Sequence, residues 1–176
     1  MSLNIVLVEP EIPQNTGNIA RTCAALGATL HLIHPLGFDI SQKAVKRAGL
    51  DYWDKLEIKE YTSLQDFKDK VKSKNIYLLS TKANKVYTDI QYQDDCYIVF
   101  GPETRGLPED YILDNFENSV RIPMRDNIRS LNLSNSVAIV AYEIQRQLNY
   151  IGLQEKSDYF TNWLYYISWL FRKTIL

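Results

Sequence analysis

Cysteine is scarce in this chain, and clusters of metal ligands are missing altogether. Among 176 residues there are two cysteines, Cys23 and Cys96, too few for a disulfide framework. Both sit in apolar runs, which predicts buried free thiols and a reducing, cytoplasmic home. The two histidines, His31 and His34, flank one apolar strand end, and nowhere do His, Cys and carboxylates gather at metal-ligand spacing. Chemistry without a protein-bound metal is expected. Positive charge is not in excess: the net charge is −1, unlike the usual nucleic-acid-binding domain. Any RNA site must therefore be a local basic patch. The first residues do not read as a secretory signal, and there is no dinucleotide G-x-G-x-x-G and no phosphate-binding P-loop, which disfavours nicotinamide and nucleoside triphosphate readings. No internal repeat or low-complexity segment occurs. What remains, 45% hydrophobic and 23% charged, is the composition of one ordinary globular domain with a single real core.

Along the chain, strands alternate with helices. Leu3 to Val8 reads as a strand; the prolines at 10 and 13 predict a loop after it, with Asn15 and Thr16 as N-caps and Gly27 as the stop of a helix carrying Ile19, Cys23 and Leu26 inward. Asn18 and Arg21 share another face of that helix. Thr29–Ile33, Leu56–Tyr61, Ile76–Ser80, Tyr97–Phe100 and Val120–Ile122 read as further strands. Ser41–Ala48, Ser63–Val71, a segment opening at Pro108 and Ser134–Leu148 read as helices. Nearly continuous apolar strands between helices predict an α/β fold, a parallel sheet flanked by helices on both faces.

Ligands bind such sheets beyond the carboxyl ends of the strands. Three loops fall there: Glu9 to Asn18, Gly101 to Leu107 and Pro123 to Leu133. Gly101 lets a ligand approach the backbone, although the glycines by themselves favour a purely structural strand-to-helix turn. In the third loop Ser134 and Asn135 read as helix caps. Capping does not explain Ser130, Asn132, Arg125 and Arg129, polar groups gathered at a sheet edge.

Together the loops carry a resemblance. Asn15-x-Gly17-Asn18-Ile19-x-Arg21, Phe100-Gly101-Pro102-Glu103-x-x-Gly106-Leu107, and Ile122-Pro123-Met124 with Ser130-Leu131-Asn132-Leu133-Ser134-Asn135 resemble, in order and spacing, the three motifs of the SPOUT RNA 2′-O-methyltransferases of the TrmH-like family. The likeness covers roughly Leu3 to Gly152 and is greatest to the small, single-domain TrmL type. It implies a SPOUT fold whose C-terminal part forms a deep trefoil knot, against the general rule that chains avoid knots. It also implies S-adenosylmethionine as cofactor, S-adenosylhomocysteine as product, and tRNA as substrate. The implied reaction is methylation of the ribose 2′-hydroxyl at the wobble nucleotide of leucine isoacceptors.

By position, Leu79, Thr81, Gly101, Glu103, Ile122, Met124, Ser130, Leu131 and Leu133 should surround the cofactor, with backbone groups of Ile122 and Leu131 on the adenine. The same resemblance implies that Arg21, with Asn18, Ser130 and Asn132, carries catalysis, and that Arg21 serves a cofactor bound by the other subunit of a homodimer. A guanidinium stays protonated in ordinary protein sites; Arg21 is expected to orient the target and stabilise charge rather than take a proton. Lys43, Lys46, Arg47, Arg105 and Arg129, with Lys82, Lys85 and Arg125, are the candidate RNA patch. Alternatives are another tRNA or rRNA target, or a knotted RNA-binding protein without catalysis.

Residues 1–156 are read as the methyltransferase domain. Residues 157–176 form an aromatic extension beyond the family pattern, with Tyr159, Phe160, Trp163, Tyr165, Tyr166, Trp169 and Phe171 crowded together. It is short of the roughly 20 apolar residues of a membrane span. The expectation is a helix packed on the domain or on a dimer partner, with membrane contact the lesser alternative.

Overall fold

A computed structural model describes residues 2–40, 53–158 and 163–174. The predicted helix at 41–48 and the candidate RNA residues Lys43, Lys46 and Arg47 lie outside the described residues. Seven strands, β1 (Leu3–Val8), β2 (Thr29–Ile33), β3 (Ile58–Tyr61), β4 (Ile76–Leu79), β5 (Lys85–Val86), β6 (Cys96–Phe100) and β7 (Ser119–Arg121), form one sheet of order β3-β2-β1-β6-β4-β7-β5. Every pairing is parallel. The carboxyl ends of the strands therefore share one edge, and every loop leaving a strand there can join one site.

Among the described residues, five α-helices accompany the sheet: α1 (Pro13–Leu26), α2 (Leu64–Lys70), α3 (Glu109–Asp114), α4 (Leu133–Gln147) and α5 (Trp163–Thr174). Alternation along the strands sends side chains to opposite faces. Leu3, Ile5 and Leu7 of β1 meet Ile19 and Cys23 of α1 and Val137, Ala141 and Ile144 of α4 in one apolar cluster. Val6 and Val8 meet Phe67 of α2 and Tyr111 and Ile112 of α3 in the other. Each fully buried aliphatic side chain contributes about 1.5–3 kcal/mol over its exposed state, so the central strands are fixed from both sides. The edge strand β3 buries only Tyr61 fully, which is why its alternation is weaker in sequence.

Helix starts differ from their sequence expectation. Helix α1 begins at Pro13, not at Asn15 or Thr16, and its N-cap is Ile12. Proline needs no partner for its missing N–H in the first turn, and its fixed φ suits that position. Helix α4 is capped by Asn132, whose side chain accepts from the N–H groups of Ser134 and Asn135; Ser134 and Asn135 are the capped residues, not the caps. Gly27 stops α1 in the left-handed conformation as expected. Both cysteines are buried and free. Burial pushes each thiol up to about 12.

His31 also departs from its reading as a strand-end residue. It sits inside β2, buried against Tyr61, Phe67 and Tyr97. The amide nitrogen of Asn4 is committed to Asp95 and to the Cys96 carbonyl, so Asn4 Oδ1 accepts from His31 Nε2 at 3.0 Å, and the Tyr61 hydroxyl donates to Nδ1 at 3.0 Å. This is a neutral imidazole with both nitrogens satisfied.

The aromatic tail does form a helix, α5, whose described side chains do not pack on the domain of their own chain. Every described side chain from Tyr165 to Lys173 is exposed. Among the described residues, no helix is long and apolar enough to cross a membrane.

Candidate active site

The three loops meet at the carboxyl edge of the sheet around a cleft of about 600 Å³, within the usual size for a small-molecule site. All nine residues expected at a cofactor line it: Leu79, Thr81, Gly101, Glu103, Ile122, Met124, Ser130, Leu131 and Leu133. Asn132, Arg105 and Arg129 line it as well. The walls are apolar where Leu79, Ile122, Met124 and Leu133 stand, and polar at Thr81, Ser130 and the backbone of the 101–107 turn. Asn18 and Arg21 are not in its lining. Both are exposed on α1, and Arg21 stands about 9 Å along the helix axis from Asn15 at 1.5 Å per residue.

One hydrogen-bonded chain ties the loops together. The Glu103 carboxylate accepts from the backbone N–H of Glu11 at 2.9 Å and of Ile12 at 3.3 Å, and from Asn15 Nδ2 at 2.9 Å. Asn15 Oδ1 accepts from Asn132 Nδ2 at 2.9 Å. Asn132 Oδ1 caps α4 and also accepts from Ser134 Oγ at 2.7 Å. In return the Glu11 carboxylate accepts from Thr104 N and Oγ1 at 3.1 and 2.8 Å. Residues about 90 and 117 positions apart are thus fixed by side chains whose donors and acceptors are matched. Glu103 and Asn132 sit where the sequence put them, yet their polar atoms are spent on holding loops. Asn15, buried between them, is the residue that sequence reasoning underrated by reading it as a cap. The signal for it was available, since an amide on the inward side of an otherwise apolar helix needs partners.

For Gly101 the structural-turn reading holds. A Cβ there would lie 2.2 Å from the Gly106 carbonyl carbon and 2.3 Å from the Leu107 nitrogen. The 101–107 turn folds back on its own backbone, closed by Gly106 N–H donating to Pro102 O at 2.9 Å. Gly101 is excluded from bearing a side chain by the turn itself, before any ligand is considered. Gly106 has φ +71 with open space around it, a position that glycine adopts without strain.

The cationic candidates divide into two groups. Arg105 pairs with Glu9, Lys82 with Glu109, and Lys85 with Glu117. Arg125 and Arg129, in the loop between β7 and α4, are exposed and have no ion pair among the described residues. Among the described residues no group of His, Cys, Asp and Glu could hold a metal.

The sequence profile of the SpoU rRNA Methylase family matches residues 2–142. This chain belongs to that family. A tRNA (cytidine(34)-2'-O)-methyltransferase of Yersinia pestis is 50% identical over 157 residues, covering 85% of this chain and 96% of the relative. A solved structure described as giving structural insights into the 2-OH methylation of C/U34 on tRNA superposes with a TM-score of 0.77 at 44% identity, over 84% of this chain and 91% of that one. An AdoMet-bound rRNA methyltransferase from Sinorhizobium meliloti shares the fold, with a TM-score of 0.72 at 24% identity over 84% of this chain and 57% of the other. The expected family, and the parallel α/β sheet flanked by helices, are borne out for this SpoU family member.

Proposed function

We propose that this chain methylates the ribose 2′-hydroxyl of nucleotide 34 of tRNA, a cytidine or a uridine, using S-adenosylmethionine and leaving S-adenosylhomocysteine. The observation that carries the reading is the Glu103–Asn15–Asn132 chain, which gathers all three loop motifs around one cleft. The high identity to a nucleotide-34 methyltransferase supports the choice of target. Leucine isoacceptors, including those with 5-carboxymethylaminomethyluridine at the wobble position, are the substrates of this reading, and the cytoplasm is its setting.

The cleft suits the cofactor in size and in its mixture of apolar walls with a few convergent polar groups. When bound, S-adenosylmethionine supplies a methyl group already activated by its sulfonium. Leu79, Ile122, Met124, Leu131 and Leu133 provide apolar contact, and Thr81 and Ser130 provide hydroxyls at the rim. The remaining task is alignment, which the loop network performs by fixing one loop conformation in advance.

Arg21 keeps its proton and holds the target nucleotide while stabilising charge that develops on the ribose oxygen; Asn18 stands beside it. Neither lines the cleft of its own chain, which supports a homodimer in which α1 of one copy serves the cleft of the other. Ile139 and Tyr142, exposed on α4, offer apolar surface for that contact. Arg105 and Arg129, at the cleft, and Lys43, Lys46 and Arg47 are assigned to tRNA phosphates. The C-terminal half is assigned a trefoil threading, a reading supported by β7 lying between β4 and β5.

Incubation with unmodified leucine tRNA and S-adenosylmethionine, followed by nuclease digestion and mass spectrometry, tests the assignment. Methylated ribose at nucleotide 34 is expected. Methylation elsewhere, or none, overturns it.

A further inference from the structure

We propose that α5 is a peripheral membrane contact, seating the protein on a bilayer surface that carries anionic headgroups. The inference stands apart from the methyl-transfer reading and uses none of the cleft residues. Eight of the twelve residues of α5 are apolar or aromatic, yet Tyr165, Tyr166, Ile167, Trp169, Leu170 and Phe171 are all exposed, by 37% to 65%. A helix apolar over most of its circumference belongs in an apolar environment. At about 18 Å long it falls short of the roughly 30 Å hydrocarbon core, so it can lie in the boundary but not cross it.

Its chemistry fits that boundary. Tyr166, Ile167, Leu170 and Phe171 share one face by helical spacing, while Ser168 and Arg172 lie opposite. On the flank, Tyr166 and Trp169 stack at 6.2 Å, and the Lys173 ammonium sits 4.7 Å over the Trp169 ring. Tyrosine and tryptophan favour the headgroup level, and lysine and arginine reach from it to water. Residues 159–176 contain two basic residues and no acidic one, in a chain with 21 acidic residues. The charge of α5, Arg172 and Lys173 with no acidic residue, thus complements anionic lipid. A second copy of the helix would cover one stripe and leave the Trp169 flank wet. RNA would find stacking rings but no use for Ile167 and Leu170.

The test is sedimentation of the full chain with vesicles of phosphatidylcholine alone or mixed with phosphatidylglycerol. Binding to the mixed vesicles is expected, weakened by salt. The double substitution Arg172→Gln/Lys173→Gln should weaken it roughly ten- to thirtyfold, from about 1 kcal/mol per basic residue. Leu170→Glu/Phe171→Glu should abolish it while leaving the thermal melt and methyl transfer unchanged. Two results overturn the proposal: binding indifferent to both substitutions, or no vesicle binding, which an α5-dependent rise in mass or tRNA affinity would trace to a second copy or to RNA instead.

Discussion

Replacing Asn15 probes how the three loops cooperate. In Asn15→Ala, Glu103 Oε1 loses its 2.9 Å donor and Asn132 Nδ2 its 2.9 Å acceptor. Glu103 keeps the Glu11 and Ile12 amides, and Asn132 is exposed enough for water to replace its partner. One lost hydrogen bond to a carboxylate and one to an amide, partly compensated, cost about 1–2 kcal/mol. If that cost falls on the ordered form of the loops, S-adenosylmethionine affinity drops roughly five- to thirtyfold. Asn15→Asp is harsher, because it removes the same donor and sets a second carboxylate against Glu103. The penalty should reach about 3 kcal/mol, more than a hundredfold in affinity, and should shrink as falling pH protonates one of the pair. Calorimetric titration of the cofactor between mildly acidic and neutral pH, beside a thermal melt, reads both effects. Wild-type affinity in Asn15→Asp, or a loss independent of pH, would refute the claim that Asn15 couples the loops.

Gly101→Ala should lower melting temperature and cofactor affinity sharply, by about 3 kcal/mol from forced backbone movement, because its Cβ meets backbone at 2.2 Å; Gly106→Ala should cost only about 1 kcal/mol from its positive φ. Equal effects in parallel melts would contradict the collision argument. Burial first, then Lys59, lowers His31 to about 4 from the ordinary 6.5. Below 6.5 the unfolded chain takes up a proton that the folded chain refuses, so stability present above 6.5 is lost as pH falls toward 4, by up to about 3 kcal/mol. Urea midpoints across that window should slope upward with pH, and His31→Gln should flatten the slope. Arg21→Lys should leave cofactor binding intact but reduce turnover at least about tenfold, since lysine lacks the planar fork of donors. Mixing Arg21→Ala with an Asn15→Asp chain should restore part of the activity if α1 serves the opposite cleft, and mixed activity no higher than either parent would exclude that arrangement.

Periodicity in the sequence was sufficient for six of the seven strands and the main helices, because strands buried on two faces are mostly apolar and so read as nearly continuous apolar runs; β5, two half-buried residues at the sheet edge, carries no such run. The motif residues were legible as a set for the same kind of reason: glycine, proline and small polar residues collect where backbone must turn at a strand end. Helix starts were less legible. Proline tolerates the first turn as well as a loop, and an asparagine can cap, bridge or face solvent without any change in the local sequence. The division of labour among Asn15, Glu103 and Asn132 depends on residues about 90 and 117 positions apart meeting, and no local pattern encodes a meeting.

The sequence alone therefore determined the family, through the likeness of its three motifs to known ones, and also the α/β class and which residues crowd one end of the sheet, since these last two follow from burial and turn chemistry repeated along the chain. Only the tertiary structure decided what those residues do there. It made Gly101 an obligation of its own turn and Asn15 a bridge. It left Arg21 outside the cleft of its own chain and α5 uncovered, because contact geometry is a property of the folded whole.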